Sequence, residues 1–361
     1  MSAGGSPAAG ELGERFRSQA EQCWASGSPL TAALLDGAAG EVDRPGPLRE
    51  LLLPHAGDPP GSALPLRFAG GLHRLVLERR APALALHYPS VGGTAPVQRV
   101  WPAAREVVAA EPRLAELVRA PVQTNEVGRS AALYGVLLHL VAETGLPVRL
   151  LEVGASAGLN LRPEAYAYEV GGRVLGEPDS PVRLREPWRG RLPPLDVAVR
   201  VAERRGCDPD ALDPGRTQDR VTLTSYVWAD QVDRLERLRA ALQVAARLPA
   251  PVEALPASAF LARELAEPVP GVLTVVWHSV VWQYLDPQER TRTTAVLRAA
   301  GARATAQAPL ARVALEPVGK GGDSAAFPLA VTGWPGGGRT VLADAQGHGP
   351  PVVWRRPAAR G

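Results

Sequence analysis

Residues 148–160 read VRLLEVGASAGLN, and this stretch decides the fold. It begins with a short apolar run that stops at a group of small residues, which is typical of a strand buried on both faces in a parallel sheet. The small residues predict a tight turn, since Gly154 and Gly158 lack a Cβ and let the backbone approach a ligand closely. A strand, a glycine turn and a helix start together predict a ligand site at the carboxyl edge of an open α/β sheet.

The spacing within the turn separates it from the common phosphate-binding motifs. A dinucleotide motif has the form G-x-G-x-x-G, and a P-loop ends in a lysine and a hydroxyl residue. This chain has G-x-x-x-G after an acid, and its only lysine, Lys320, is far away. The pattern resembles motif I of the class I S-adenosylmethionine-dependent methyltransferases, in which the glycines face the amino-acid end of the cofactor. The resemblance implies S-adenosylmethionine as cofactor, with a set of binding residues that comprises Glu152, Gly154, Ser156, Gly158 and Asn160. The alternative is a strand-to-helix turn without a ligand.

Length and composition limit the class of protein. A chain of 361 residues can form one large domain or two smaller ones. No stretch approaches the ~20 apolar residues of a membrane span, and residues 1–16 lack the basic patch and apolar core of a signal peptide. Two cysteines provide neither a disulfide framework nor metal-ligand spacing. The arginines are scattered without interleaved aromatics. We therefore expect a cytoplasmic protein with no metal site, no membrane partner and no nucleic-acid partner.

The chain divides into two predicted domains. Residues 1–120 are read as a helical cap, with helices at 12–24, 29–35 and 66–78 and two more within 101–118 that separate at Pro112. His73 is read as a packed helix residue rather than a ligand. Residues 121–361 are read as a Rossmann-like domain of the methyltransferase type, with an insertion at about 162–195.

Five strands of this second domain are predicted to alternate with helices. They are the strand before Gly154 and four later strands at 196–201 or slightly beyond, with its end at 205–208, and at 252–255, 271–277 and 311–316. The inserted segment contains a predicted β-hairpin at 166–182 with Gly171 and Gly172 at its turn. A terminal antiparallel hairpin, 327–334 with 339–345, completes a mostly parallel sheet of the kind that class I methyltransferases have. The fold class is therefore α/β.

Polar residues near the predicted strand ends are the other candidates for the site. The segment 123–129 carries more polar side chains than a helix cap requires, so we expect substrate contacts at Gln123, Asn125, Glu126 and Arg129, with a cap by Thr124 or Asn125 as the alternative. Trp228, at a loop-to-helix junction, is a further substrate-binding candidate, with packing under a loop as the alternative.

Two further roles follow from position. Asp208, with Asp213 in reserve, is placed to accept hydrogen bonds from the ribose hydroxyls of a nucleoside, unless it caps a turn. His278 follows an apolar strand and is the candidate general base, unless it is bonded to backbone. Tyr284 is placed to orient the substrate.

Several segments together are similar to one family of bacterial proteins. These segments are SPLTAALL, LHRLVLE, QTNEVGRSAALYG, VRLLEVGASAGLNL, RRGCDPDALDP, YVWADQVDRLERLRAAL and GHGPPVVW. In this order, over nearly the full length, they resemble the domain-of-unknown-function 2332 family. Because the family has no assigned activity, the resemblance implies no reaction.

The residues themselves favour an S-adenosylmethionine-dependent methyltransferase that acts on a small molecule by in-line transfer. Alignment of the reactants can supply ~7–11 kcal/mol of the barrier, so a strong base is optional. Two alternatives remain. One is a non-catalytic protein that binds S-adenosylmethionine, another nucleoside or a partner on the same fold, and the other is a different nucleotide-using enzyme.

Overall fold

The computed structural model describes residues 7–318 and 327–355. The chain forms two compact units, Met1–Thr124 with Arg216–Glu236 and Asn125–Gly215 with Arg237–Gly361. We call them the helical unit and the sheet unit. The division falls four residues after the predicted boundary at 120, and it adds the segment 216–236 to the helical unit.

The helices of the described residues begin and end as follows: α1 (Pro7–Ala25), α2 (Pro29–Glu41), α3 (Pro47–Leu52), α4 (Leu64–Leu77), α5 (Pro82–Ala85), α6 (Val100–Ala110), α7 (Arg113–Arg119), α8 (Ser130–Thr144), α9 (Thr217–Ser225), α10 (Val232–Arg247), α11 (Ala257–Glu264) and α12 (Pro287–Gly301). The predicted helices of the first 120 residues are confirmed, and so is the break at Pro112. Across these described helices, none has the length and apolar content that a membrane span requires.

The strands of the described residues are β1 (Val148–Val153), β2 (Ala167–Val170), β3 (Arg173–Gly176), β4 (Arg183–Arg185), β5 (Trp188–Gly190), β6 (Val201–Cys207), β7 (Val252–Glu253), β8 (Leu273–Ser279), β9 (Leu310–Leu315), β10 (Phe327–Trp334), β11 (Gly338–Gln346) and β12 (Gly349–Trp354). Nine of them form the main sheet in the order β5-β12-β11-β10-β9-β8-β1-β6-β7. The predicted α/β class and mostly parallel sheet are confirmed.

Five parallel strands, which occupy one end of the main sheet, have the doubly wound arrangement. In chain order they are β1, β6, β7, β8 and β9, and in the sheet they lie as third, second, first, fourth and fifth. This is the strand order of the Rossmann-like folds. The predicted terminal hairpin is present as β10 and β11, which pair antiparallel.

Strand β1 is the middle one of these five parallel strands. All six of its residues are buried, and it pairs in parallel with β6 on one side and with β8 on the other. On one face its Leu151 and Val153 pack with Phe260 and Leu261 of α11 and with Leu297 of α12. The apolar run in the sequence thus has the two-sided burial that predicted a parallel strand.

The second parallel strand begins later in the chain than predicted. The predicted start at 196 is wrong, whereas the predicted end at 205–208 agrees with β6, which runs from Val201 to Cys207 and carries three consecutive charged residues. Their partners come from distant segments: Glu203 pairs with Arg149, Arg204 with Glu164, and Arg205 with Glu264. These ion pairs let a charged segment occupy a strand whose sequence resembles a loop.

The inserted segment forms a small second sheet, in the order β3-β2-β4. The predicted hairpin is confirmed as β2 and β3, and Gly171 and Gly172 form the turn with positive φ. Tyr168 of β2 stacks on Tyr134 of α8 at 4.3 Å between ring centroids, and Trp188 lies on the same stack. Aromatic stacking therefore joins the insertion to the sheet unit.

His73 in α4 is a packed helix residue of the helical unit, as predicted. Its ring is 2% exposed, Nδ1 donates to the Ser225 carbonyl at 3.1 Å, and Nε2 accepts from the Ser90 hydroxyl at 2.8 Å. Burial lowers the pKa of His73 to about 4, although hydrogen bonds to the backbone of Ser225 and Val227 oppose the shift.

This pKa predicts a loss of stability in mild acid. An unfolded histidine takes up a proton below about pH 6.5, whereas the folded ring resists protonation until about pH 4. The contribution of His73 is therefore fully present above pH 6.5. As the pH falls to 4, we expect His73 to lower the free energy of unfolding by roughly 3 kcal/mol.

Urea unfolding followed by tryptophan fluorescence at pH 7 and pH 4.5 measures this effect. The His73→Gln variant keeps a donor and an acceptor but does not titrate, so it should lose less stability between the two pH values than the parent chain does. An equal loss in both proteins would show that His73 is not buried in its neutral form.

Candidate functional site

The carboxyl ends of four neighbouring strands meet at one edge of the main sheet. Val153 of β1 pairs with Cys207 of β6 on one side and with His278 of β8 on the other, and Ser279 pairs with Leu315 of β9. The strand order changes direction between β1 and β8, and open α/β sheets bind ligands in the crevice at such a point. The segments that follow these strands therefore form the candidate site.

The bend after β1 has an unusual backbone. Gly154, Ser156 and Gly158 have φ values of 70°, 52° and 67°. The predicted helix start does not follow the bend, because the described chain continues in two 3-10 helices, Leu159–Leu161 and Pro163–Ala165. A proline at the start of the second turn prevents a continuous helix. The dipole of a helix N-terminus, which the prediction included in the ligand site, is thus not part of this bend.

The N–H groups of the bend are mostly used by the protein itself. Gly154 and Ala155 both donate to the Cys207 carbonyl, at 2.9 and 3.0 Å. Gly158 donates to the Ala155 carbonyl at 2.7 Å, and Leu159 donates to the Asn125 side-chain oxygen at 2.9 Å. A phosphate cradle needs several N–H groups that point at the ligand. This bend offers few N–H groups for such a cradle.

The two glycines of the bend are approached by side chains of this chain. A Cβ on Gly154 would lie 2.3 Å from Val281 Cγ2, and a Cβ on Gly158 would lie 2.8 Å from Val252 Cγ2. The sequence predicted that these glycines make room for a ligand. In the structure the same lack of a side chain makes room for Val281 and Val252.

Asp208 lies beside the bend, as the sequence predicted. Its Oδ2 accepts from the Ser156 N–H at 2.9 Å, and its Oδ1 accepts from the Asp210 N–H at 3.0 Å. The carboxylate therefore supports Ser156 at positive φ and caps its own turn. The reserve candidate, Asp213, accepts from the Gly215 N–H in a separate turn.

Glu152 and Asn160 form a buried acceptor pair next to the bend. The two residues are 2% and 1% exposed, and the Asn160 side chain is among the groups that influence the pKa of the Glu152 carboxyl. Glu152 Oε2 and Asn160 Oδ1 have no hydrogen-bond partner among the residues that the structure describes. Buried polar atoms are almost always paired in native proteins, so two unpaired acceptors side by side indicate a place for a donor.

Burial raises the pKa of Glu152 well above its ordinary value. Arg162 opposes this shift, the Asp208 carboxylate adds to it, and Arg129 and Asn160 lower the pKa by smaller amounts. A buried carboxyl with a raised pKa ionises more readily when a cation comes close. The charge of Glu152 is therefore sensitive to what occupies its surroundings.

The segment that precedes α8 brings three predicted substrate residues to the same place. The Asn125 side-chain oxygen accepts from the Leu159 N–H, and the Glu126 carbonyl accepts from the Asn160 side chain at 3.2 Å. Arg129 donates to the carbonyls of Gly347 and Ser279, at 2.8 and 3.3 Å. These contacts connect the bend, the end of β8 and the turn before β12.

The predicted helix cap in this segment is wrong. Thr124 and Asn125 do not cap α8, which begins at Ser130 after a 3-10 turn, Val127–Arg129. The Glu126 side chain caps that turn by accepting from the Gly128 N–H at 3.0 Å. Because the Asn125 oxygen already accepts from Leu159, 34 residues along the chain, it is not available as a cap.

Two of the remaining predicted residues belong to the helical unit. Gln123 is 7% exposed, and Trp228 packs against the core of that unit with Arg234 5.5 Å from its ring centroid. Tyr284, in the sheet unit, ends a 3-10 helix after β8 and is 43% exposed. Their roles in substrate binding stay predictions.

His278 is held at both ring nitrogens. Nδ1 donates to Glu316 Oε1 at 2.7 Å, and Nε2 accepts from Arg312 Nε at 3.0 Å. These partners define a neutral tautomer, because a carboxylate only accepts and a guanidinium only donates. Burial lowers the pKa of His278, Glu316 opposes the shift, and Arg312 adds to it. To act as the predicted general base, His278 would have to lose its bond to Arg312.

Glu316 is the residue of the site that sequence reasoning missed. Besides His278, its carboxylate accepts from the N–H groups of Val281 and Trp282, both at 3.2 Å. It follows β9 directly, just as His278 ends β8, and parallel strands align their carboxyl ends. The alignment of the two strand ends could have indicated from the sequence that Glu316 lies beside His278.

The carboxylate of Glu316 supports a second strained bend. Val280 has φ of 52°, which is a true outlier for a β-branched residue. Strained residues of this kind cost ~1–3 kcal/mol and tend to cluster at functional sites. Val280 and Ser156 provide two such residues after adjacent strands.

The family of the chain can now be stated. Residues 13–354 match the family model described as "Uncharacterized protein conserved in bacteria (DUF2332)". The chain belongs to this family. No curated protein and no solved structure matched it. The predicted family is confirmed, and the description of the family names no reaction.

The strain at Val280 gives a stability prediction. Alanine is ordinarily more stable than glycine at a folded position, but a left-handed backbone reverses this order. We expect Val280→Gly to be more stable than Val280→Ala by about 1 kcal/mol in urea unfolding.

Val281 provides the matched control. Its φ is −122°, so Val281→Ala should be more stable than Val281→Gly by ~0.5–1 kcal/mol. If the Val280→Ala chain is as stable as the Val280→Gly chain or more stable, then the positive φ of Val280 is not maintained in solution.

Proposed function

We propose that the sheet unit binds S-adenosylmethionine and transfers its methyl group to a small molecule. The observation that carries this proposal is the pair of unpaired acceptors, Glu152 Oε2 and Asn160 Oδ1, buried at the carboxyl end of β1. The doubly wound strand order and the antiparallel hairpin β10–β11 support the same proposal, because class I methyltransferases combine these features.

The chemistry of the acceptor pair favours a cationic donor. An ammonium group has three donors and no acceptor, so it complements a carboxyl oxygen and an amide oxygen that lack partners. Its charge would also compensate for burial of the Glu152 carboxylate. The amino-acid end of S-adenosylmethionine has such an ammonium group, and Glu152 and Asn160 are the residues that would hold it.

The same site is a poor match to a phosphate ligand. Four N–H groups of the bend region already donate within the protein, a fifth donates to Asp208, and carboxyl groups lie close by. The carboxyl groups would repel the phosphates of a dinucleotide or a nucleoside triphosphate at the place where these phosphates need N–H donors. This distinguishes the proposed cofactor from those of other nucleotide-using enzymes on the same sheet.

Asp208 is the residue proposed to bind the ribose. It follows the second strand of the doubly wound order, where this class of fold contacts the hydroxyls of a nucleoside. Each of its oxygens accepts a backbone N–H, and a carboxylate oxygen can accept more than one hydrogen bond. Carboxylate oxygens are also the acceptors that ribose hydroxyls require.

The reaction would depend mainly on alignment. When bound, the sulfonium supplies an already activated methyl group, and the residues of the chain would hold donor and acceptor in line at near-attack distance. His278 and Tyr284 are proposed to contact the acceptor molecule. Gln123 and Trp228, which belong to the helical unit, stay proposed substrate-binding residues.

One observation favours a second candidate, a non-catalytic binding protein. Val281 and Val252 lie against the glycines of the bend, so ligand entry requires these side chains to move. A protein that binds the cofactor as a signal, without turnover, could use such a movement.

Calorimetry with a conservative variant tests the proposal. We expect S-adenosylmethionine and S-adenosylhomocysteine to bind the full chain, and NAD and ATP to bind far more weakly. Glu152→Gln replaces an acceptor oxygen by a donor and should raise the dissociation constant of both ligands about tenfold or more. Removing a buried carboxyl with a raised pKa should not unfold the protein.

The matched control is Glu267→Gln, which removes the same charge from an exposed position of the sheet unit and should leave binding unchanged. Absence of binding by both sulfur ligands contradicts the proposal. Binding without methyl transfer to any component of a bacterial metabolite extract, followed with methyl-labelled cofactor, would select the non-catalytic candidate.

A further inference from the structure

Two arginines share one row across the strands of the main sheet. Thr332 of β10 pairs with Arg312 of β9 on one side and with Arg339 of β11 on the other. Directly paired residues point to the same face of a sheet, so the two guanidinium groups rise from one face with a hydroxyl between them. Their backbones are two strand spacings apart, about 10 Å.

Arg312 is fixed in orientation. Its Nε donates to His278 Nε2 at 3.0 Å, and its guanidinium carbon lies 4.4 Å from the ring centroid of Trp282. His278 is in turn held by Glu316. Within the ranges 7–318 and 327–355, neither Nη of Arg312 makes a hydrogen bond, and neither is among the fully buried atoms that lack a partner. The outer fork of the guanidinium is therefore oriented and accessible.

The charges around this row are not balanced. Burial lowers the pKa of Arg312, Glu316 opposes the shift, and the charge of Arg339 lowers the pKa further. Glu316 already accepts three hydrogen bonds, from His278 and from two backbone N–H groups. Arg339 is exposed and forms no ion pair with the described part of the chain. Arg312 therefore has a second cation nearby, and the one carboxylate that acts on Arg312 directs its hydrogen bonds elsewhere.

We infer that Arg312, Thr332 and Arg339 form a binding site for a carboxylate group of a small molecule. The two Nη atoms of Arg312 can bind both oxygens of a planar carboxylate end-on, because the fork matches its geometry. Arg339 then binds a second acidic group or adds to the attraction. A dicarboxylate suits two arginines in one row better than a monocarboxylate does.

The location connects this anion site to the edge described above. His278, which orients Arg312, is the direct neighbour of Val153 at the end of β1. The assignment of this carboxylate to the methyl acceptor rests on the proposed function. The anion site itself does not depend on that function.

The test uses the full chain and glutarate as the probe, with acetate, inorganic phosphate and the neutral glutaramide for comparison. Titration is followed by calorimetry and by tryptophan fluorescence, since Trp282 stacks on Arg312. We expect glutarate to bind more tightly than acetate or phosphate, and glutaramide not to bind.

Arg312→Lys keeps the positive charge but loses the fork and the stacking, so the dissociation constant of glutarate should rise about tenfold. Arg339→Gln should also weaken binding, and its exposed position protects the fold from the change. Arg239→Gln removes an exposed arginine of α10 and should change the constant by less than about twofold, the size of effect expected of a distant surface charge.

Three results would overturn the inference: equal affinity of the parent, Arg312→Lys and Arg339→Gln chains for glutarate, tighter binding of phosphate than of glutarate, or binding of glutaramide. Because glutarate is titrated without S-adenosylmethionine, the two proposals fail separately. Loss of cofactor binding alone contradicts the methyl transfer, and loss of glutarate binding alone contradicts the anion site.

Discussion

The pairing of β1 on both sides is the constraint on which the rest of the sheet unit depends. Its six residues are buried and lie between two parallel strands that end in the same row. The chain that leaves β1 must turn at once in a narrow space. Gly154 admits Val281, and Gly206 of the neighbouring strand admits Ala155, whose Cβ would lie 2.7 Å from a Cβ at position 206. The small residues of the motif are therefore required by packing, whether or not a ligand binds there.

The sequence predicted those elements whose cause is local. The apolar runs of β1 and β8, the Gly171–Gly172 hairpin and the break at Pro112 all depend on neighbouring residues. Asp286 likewise caps α12 by accepting from the Glu289 N–H at 2.8 Å, as the spacing suggests. The sequence predicted less well the bounds of elements that are stabilised by distant partners. Strand β6 is the main example, because its charged residues are paired with residues 40 to 59 positions away.

The candidate site shows the same division. Sequence reasoning found His278, Asp208 and the bend, since each follows a recognisable strand. It could not find what surrounds His278, because Glu316 and Arg312 come from β9 and reach it only through the register of the sheet. The ring nitrogens, the tautomer and the lowered pKa all follow from that register. A histidine at a strand end is thus a weak indication of a base until its partners are known.

The polarity of the edge gives the two proposals a common physical basis. Near β1 the edge presents acceptors, because Glu152 Oε2 and Asn160 Oδ1 have no hydrogen-bond partner among the described residues. Within β9 and β11, beside His278, the sheet presents donors, since neither Arg312 nor Arg339 forms an ion pair with the residues that the structure describes. A cationic methyl donor on the first side and an anionic acceptor on the second would each meet complementary charge. Between them lie two strained residues: Ser156, whose N–H donates to Asp208, and Val280, whose neighbour Val281 donates to Glu316. Val281 also fills the gap at Gly154. Because interactions between charges are strong in a partly buried crevice, opposite polarity on its two sides would orient both molecules before any reaction begins.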